Sequence, residues 1–192
     1  MKLPAETGSL LPFNLVESSL RGLLRIRNGV LLLAYAIGWF QHQLAPLAGL
    51  SSAMRLHLST ASLAALFSLF MDLCVMFYFI GTSVWMRDRS KEMFRINKPK
   101  ALNSWDTYQL ANKLKGPTMP FATFGLVLGL FAFILGGATD VGAVNHWIHP
   151  LLASLLVLNS FVAQKYYFRS IEKNLGYLDH ISSNLDTLKA YS

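Results

Sequence analysis

Residues 67–79 read FSLFMDLCVMFYF, and twelve of these thirteen side chains suit a hydrocarbon environment. The exception is Asp72, in the middle of the run. The apolar stretch around it extends over residues 58–86, which is more than the roughly 20 residues that a helix needs to cross a bilayer. The stretch therefore predicts a transmembrane helix that carries one acid.

The composition of the whole chain indicates the same environment. Its 192 residues are 53% hydrophobic and 14% charged, whereas soluble domains carry about a quarter charged residues. The single cysteine, Cys74, excludes an intramolecular disulfide and a multi-cysteine metal site. We therefore expect an all-α integral membrane protein that forms a single membrane domain over residues 1–192.

Four segments are long and apolar enough to be predicted as transmembrane spans. They are residues 29–50, 58–86, 119–138 and 148–168. The remaining segments are a cytoplasmic amphipathic segment over 1–28, a basic cytoplasmic loop over 87–118, and a cytoplasmic amphipathic helix over 169–192. This last helix is a long extension of the fourth span. Together these elements predict a four-helix bundle in the membrane.

The distribution of basic residues predicts the orientation of the bundle. Sixteen of the 17 lysines and arginines lie before the first span, between the second and third, or at and after the end of the fourth. The exception is Arg55. Because cytoplasmic connections carry an excess of basic residues, both termini are predicted to be cytoplasmic. We expect the protein to lie in a bacterial inner membrane, and the alternative is an organelle membrane. Nucleic-acid binding is excluded since there is no basic soluble domain.

Two polar residues lie at one predicted depth on different spans. Counted at about 1.5 Å per residue, Asp72 falls near the middle of the second span and Asn159 near the middle of the fourth. An unpaired polar group in lipid costs several kcal/mol. We therefore expect an uncharged Asp72 to donate a hydrogen bond to the Asn159 amide. The alternatives are a step in a proton or transport path, and contact with a partner subunit or a lipid.

Two faces of the predicted helices are suited to packing against other helices. The third span contains a GxxxG pair, Gly125 and Gly129, which fits packing inside the bundle or association with another protein. The tail carries a near-heptad apolar stripe. Its members are Ile171, Leu175, Leu178, Ile181, Leu185 and Leu188. This stripe either packs on the protein's own cytoplasmic helices, docks another subunit, or faces lipid.

Four of the five histidines are predicted to lie at the outer face of the bundle. They are His42, His57, His146 and His149. Imidazoles bind haem iron and Cu, Zn or Fe ions, and the core between facing helices is a natural cofactor site. His42 and His57 form the best predicted pair, and His146 or His149 come next. The alternative is a structural role in hydrogen bonds to water and lipid headgroups.

The sequence contains no motif for nucleophilic catalysis, for phosphate binding or for a metalloprotease. The first functional prediction is a non-catalytic subunit or assembly factor of a larger membrane complex, of respiratory or photosynthetic type. Its partners would be the lipid bilayer and other membrane subunits, or further copies of the chain. The second prediction is a redox membrane protein that binds haem or a metal ion through the outer histidines. The third is a small transporter that uses Asp72.

Overall fold

The computed structural model describes residues 11–48, 50–96, 98–140, 142–145 and 147–190. These residues form five helices and no strand. The helices are α1 (Leu11–Ala48), α2 (Leu50–Ile96), α3 (Lys98–Lys113), α4 (Lys115–Asp140) and α5 (Ile148–Ala190). The predicted all-helical fold is thereby confirmed.

Three helical segments are long and apolar enough to cross a membrane. They are Leu15–Phe40 in α1, Ser52–Ile96 in α2, and Ser104–Thr139, which runs from α3 into α4. Helix α5, predicted to contain the fourth span, does not reach the same apolarity. The three segments suggest an integral membrane protein.

Four long helices form a bundle, and α3 packs at one end of it. Helices α1 and α4 each pack on both α2 and α5, while α2 and α5 also contact each other. Helices α1 and α4 therefore lie on opposite sides of the α2–α5 pair. We call the end that contains His57 and His149 the histidine end, and the opposite end, where α3 packs on α2 and α5, the α3 end.

The described part of the predicted amphipathic segment over residues 1–28 belongs to α1, which has a buried face. Within the described residues, α1 continues without a break from Leu11 through the predicted start of the first span. Five of its buried positions are spaced 4, 3, 4 and 3 residues apart, the pattern of helices that pack at a shallow angle. They are Leu20, Leu24, Arg27, Leu31 and Ala34. Because this face is buried, α1 packs as part of the bundle, against α2 and α5.

The apolar stripe of the tail is covered by the protein itself. Helix α5 runs unbroken through the predicted fourth span and the tail, as expected. At the α3 end, three stripe residues pack against α2 and α3. The cluster consists of Leu178, Ile181 and Leu185 with Met86, Met93 and Ala111. Ile171 lies in the central core, Leu175 is half-buried, and the side chain of Leu188 lies outside the described residues. The described residues of the stripe therefore pack mainly on the protein's own helices.

The segment over 87–118, predicted as a basic loop, is helical where it is described. Helix α2 continues to Ile96, and α3 follows almost at once. The two are joined by a buried hydrogen bond from Ser90 Oγ to the Ser104 carbonyl, 3.2 Å long. The Trp105 ring also lies edge-on to Phe94, with ring centroids 6.4 Å apart. These contacts fold α3 back along α2, so the basic residues are carried on helices.

Candidate functional site

A buried ion pair lies in the core of the bundle. Arg27 of α1 is 0% exposed, and its Nη1 donates to Asp72 Oδ1 of α2 at 2.7 Å. The hydroxyl of Tyr167 on α5 donates to the same oxygen at 3.1 Å. The Arg27 guanidinium also lies 5.8 Å from the centre of the Tyr167 ring. Three helices therefore meet at one carboxylate.

The remaining sides of the Arg27 guanidinium are hydrogen-bonded within the bundle. Its Nε donates to Asn28 Oδ1 at 3.1 Å, and its Nη2 donates to the Ser160 carbonyl at 2.9 Å. Asn28 in turn donates to Gln164 Oε1. A planar guanidinium can be buried when its donors are matched in this way. The network therefore fixes α1 against α2 and α5 at one level.

The predicted hydrogen bond between Asp72 and Asn159 is not formed. Asn159 Nδ2 donates instead to the Phe121 carbonyl at 3.2 Å. Both side chains do lie at one level, since a methyl group added at Gly125 would meet Asp72 Oδ2 and Asn159 Nδ2. Asp72 pairs with Arg27 because, in a low-dielectric core, an opposite charge stabilises a carboxylate more than an amide does. The prediction failed because a first span that begins at residue 29 leaves Arg27 outside the membrane.

The GxxxG face of α4 is also used inside the bundle. Gly125 faces the polar cluster, and a methyl group at Gly129 would lie 3.1 Å from Leu69 Cδ2 and 4.0 Å from Leu156 Cδ1. The two glycines therefore allow α4 to approach α2 and α5 closely. Of the two uses predicted for this face, the contacts show internal packing.

A cavity of about 520 Å³ lies between the four long helices at the histidine end. Its wall is mainly apolar, and the small side chains leave the space open. These include Ala34, Ala61, Ala64, Ala65, Ala132 and Ala153. Polar groups in the wall include Tyr35, Ser62 and two histidines. An apolar cavity of roughly 300–1,000 Å³ with a few polar groups is typical of cofactor and small-molecule sites.

His57 of α2 and His149 of α5 both line this cavity, with ring centroids 6.2 Å apart and ring planes at 68°. His149 Nδ1 lies 3.1 Å from the Ala132 carbonyl of α4. Because a carbonyl only accepts, Nδ1 carries the hydrogen of this bond, and Nε2 is the nitrogen that is left for another partner. Metal-binding histidines are commonly oriented by such a bond. His149 is thus prepared to act as a ligand through Nε2.

Two glycines allow the histidine rings to lie directly against neighbouring helices. A methyl group at Gly38 of α1 would be 2.5 Å from His57 Cε1, and one at Gly136 of α4 would be 2.9 Å from His149 Cε1. Real Cβ atoms do not approach this closely, so a larger residue would displace either ring. The pair is therefore positioned by all four long helices, two providing histidines and two providing glycines.

The structure brings together one pair of the four predicted histidine ligands, His57 with His149. The side chain of His42 and the whole of His146 lie outside the described residues, so the predicted pairing of His42 with His57 stays a prediction. Among the residues that the structure describes, no three His, Cys, Asp or Glu side chains form a group that could hold a metal ion. The observed pair is thus suited to a cofactor that needs two protein ligands.

Sequence reasoning missed Arg27 and Tyr167, although heptad spacing offered a signal for both. Arg27 lies three residues after Leu24 in the buried face of α1, and Tyr167 lies four residues after Ala163 in that of α5. Comparison with known proteins adds no guide, because no family model, curated protein or solved structure matches the chain. The proposed function therefore rests on the side chains of the bundle.

Proposed function

We propose that the protein is an integral membrane haem protein in which His57 and His149 are the axial ligands. The observation that carries this proposal is the 6.2 Å separation of the two ring centroids. Two imidazoles that bind one ion from opposite sides, each with a metal–nitrogen bond of about 2 Å, have ring centroids about 6 Å apart. The separation therefore suits one shared metal ion.

Two histidine ligands are sufficient for a metal ion whose other ligands belong to a cofactor. A porphyrin supplies four equatorial nitrogens, so the protein need provide only the axial pair. A protein-bound zinc ion commonly needs three or four side chains, and the described residues around this pair do not provide them. The apolar cavity beside the rings suits the faces of a porphyrin. The hydrogen bond from His149 to the Ala132 carbonyl supports the same role.

In this proposal all four long helices cross the membrane, and α5 provides the fourth span. Large apolar side chains on the outer face of α5 are exposed, which suits contact with lipid. They include Leu151, Leu155, Leu158 and Val162. The positive-inside rule then orients both termini to the cytoplasm and the histidine end to the outer side of a bacterial inner membrane.

We base the proposed role in a larger complex on electron transfer through the haem. It does not depend on the tail stripe or the GxxxG face as a docking surface. The tail stripe and the GxxxG face, which suggested a partner subunit, are covered within the bundle. A haem near the outer side would allow the protein to pass electrons to or from a membrane-bound partner of a respiratory complex. In this proposal the protein is thus an accessory subunit of that complex, as the sequence predicts.

The test is the absorption spectrum of the full chain, purified in mild detergent and then supplied with hemin. We expect one haem per protein, with a sharp Soret band and resolved visible bands after reduction by dithionite. His57→Ala and His149→Ala should each remove the low-spin spectrum. His180→Ala is the matched control, because His180 is an exposed histidine of α5 outside the cavity. Absence of stoichiometric haem after hemin addition would refute the proposal.

A further inference from the structure

We propose that the interior of the bundle conducts protons, with the Arg27–Asp72 ion pair as the selective step. This inference is independent of the proposed haem, because it is carried by polar side chains along the axis of the bundle. Buried acids inside membrane helices commonly mark such paths. Polar groups lie along the bundle axis on each side of the pair.

On one side of the ion pair, polar groups lie toward the cavity at the histidine end. The Tyr35 hydroxyl lines that cavity and lies 2.9 Å from Ser154 Oγ. Two turns nearer the ion pair along α1, Asn28 bonds to Gln164 and to Arg27 itself. The cavity wall reaches Leu31 of α1 and Leu156 of α5, one helical turn from Arg27 and Ser160, so an apolar layer one turn thick lies between the cavity and the polar groups at the ion pair.

On the other side, a second polar group leads toward the α3 end. Asn174 Nδ2 of α5 donates to Tyr78 Oη at 3.2 Å and to Thr82 Oγ1 at 3.0 Å, both on α2. Tyr78 lies less than two turns along α2 from Asp72, so this cluster follows the ion pair directly. The ion pair thus lies between two polar regions of the same interior.

Two buried polar atoms, which have no hydrogen-bond partner among the residues that the structure describes, flank the ion pair, one on each side. Ser68 lies one turn from Asp72 toward the cavity and is 1% exposed, and its Oγ has no partner. Asn174 is 0% exposed, and its Oδ1 has none either. Buried polar atoms that lack a protein partner are commonly satisfied by internal water. We infer that water occupies the interior at both positions.

The ion pair blocks ordinary ions of both signs between these two positions. The Arg27 guanidinium repels cations, and the Asp72 carboxylate repels anions. The ionisable side chains that contact Asp72 are Arg27 from α1 and Tyr167 from α5, while α4 presents Gly125. A proton differs from other ions because the carboxylate itself can carry it.

The proposed step leaves all bonds balanced. Asp72 takes a proton from a hydronium ion on one side, which leaves a neutral water molecule, forms a carboxyl O–H bond and weakens the contact with Arg27. The O–H bond then breaks as the proton passes to a water molecule on the other side, which becomes hydronium, and the carboxylate pairs with Arg27 again. One proton crosses per cycle, and counter-ion movement through another route balances its charge.

The experiment measures proton flux into vesicles of neutral phospholipid that contain the purified full-length protein and a pH-sensitive dye. A potassium gradient with valinomycin drives the flux. We expect wild-type vesicles to respond at least tenfold faster than protein-free vesicles, and Asp72→Asn to remove this difference. Asp179→Asn is the matched control, since Asp179 is an exposed carboxylate on α5 and should conduct like wild type.

A second variant keeps the test decisive if Asp72→Asn fails to fold. Ser68→Val leaves the ion pair intact and replaces the unpartnered hydroxyl with two methyl groups, so it should lower the flux at least tenfold by displacing water. Circular dichroism and gel filtration identify the folded variants. Wild-type vesicles that respond no faster than empty ones overturn the proposal. So does either variant that is folded and conducts at the wild-type rate, or a wild-type protein that passes sodium or chloride as readily as protons.

Discussion

Arg27 and Asp72 are the two residues around which the interior of the bundle is organised. Moving two charges out of water costs several kcal/mol per ion, and their attraction offsets this only when the geometry is good and other donors are matched. Here Tyr167, Asn28 and the Ser160 carbonyl complete the hydrogen bonds. The pair therefore contributes little net stability compared with apolar residues, whereas either residue alone would be strongly unfavourable.

This balance predicts a non-additive effect of substitutions at the pair. Arg27→Met and Asp72→Leu should each lower the free energy of unfolding by about 3–5 kcal/mol, because the remaining partner is a buried unpaired charge. The double variant should recover most of this loss. The measurement is unfolding of the detergent-solubilised protein in SDS, followed by circular dichroism. A double variant as unstable as the sum of the single variants would contradict the coupling.

At the scale of elements, α5 connects the cavity, the ion pair and the α3 end through one buried face. The helix has 43 residues, which corresponds to a length of about 65 Å. One line of its buried positions follows steps of three and four residues: Leu156, Ser160, Ala163, Tyr167, Ile171, Asn174, Leu178, Ile181 and Leu185. Ser160, Tyr167 and Asn174 recur every seven residues within this face. The polar interior is thus built into the same repeat that packs the helix.

The two faces of α5 should respond differently to the same substitution. Leu178 is 0% exposed and Leu158 is 61% exposed. Leu178→Ala should cost about 2–5 kcal/mol, because it leaves a cavity between α2, α3 and α5. Leu158→Ala should cost much less, since detergent or lipid fills the space. Both are measured by unfolding in SDS. A normally stable Leu178→Ala protein would indicate that the tail stripe does not pack as described.

At the scale of the whole molecule, the bundle has two chemically different ends. The basic residues remain concentrated toward the α3 end even though Arg27 is buried in the core, and Arg55 lies toward the histidine end. The cavity and the histidine pair occupy that second end. The charge asymmetry therefore predicts that the cavity lies near the outer side of the membrane.

Cysteine labelling in intact bacterial cells tests this orientation. Both variants are made in a Cys74→Ala background. Ala143→Cys places a thiol at an exposed position of the α4–α5 connection, and Ser183→Cys places one at an exposed position of α5. A membrane-impermeant maleimide should label the first variant in intact cells and the second only after permeabilisation. The reverse pattern would show that the termini face outward, and it would move the proposed haem to the cytoplasmic side.

The amino-acid sequence alone was sufficient to predict three features: the all-helical class, the apolar helix around residues 67–79 and the unbroken fifth helix. These features depend on length and local periodicity, which each segment carries by itself. The partners of the polar side chains required the tertiary structure, because they depend on how the buried faces of different helices align. Arg27 was expected outside the membrane, yet it pairs with Asp72, 45 residues away. The packing of α2 against α5 places His149 beside His57, whereas the expected partner His42 has its side chain outside the described residues.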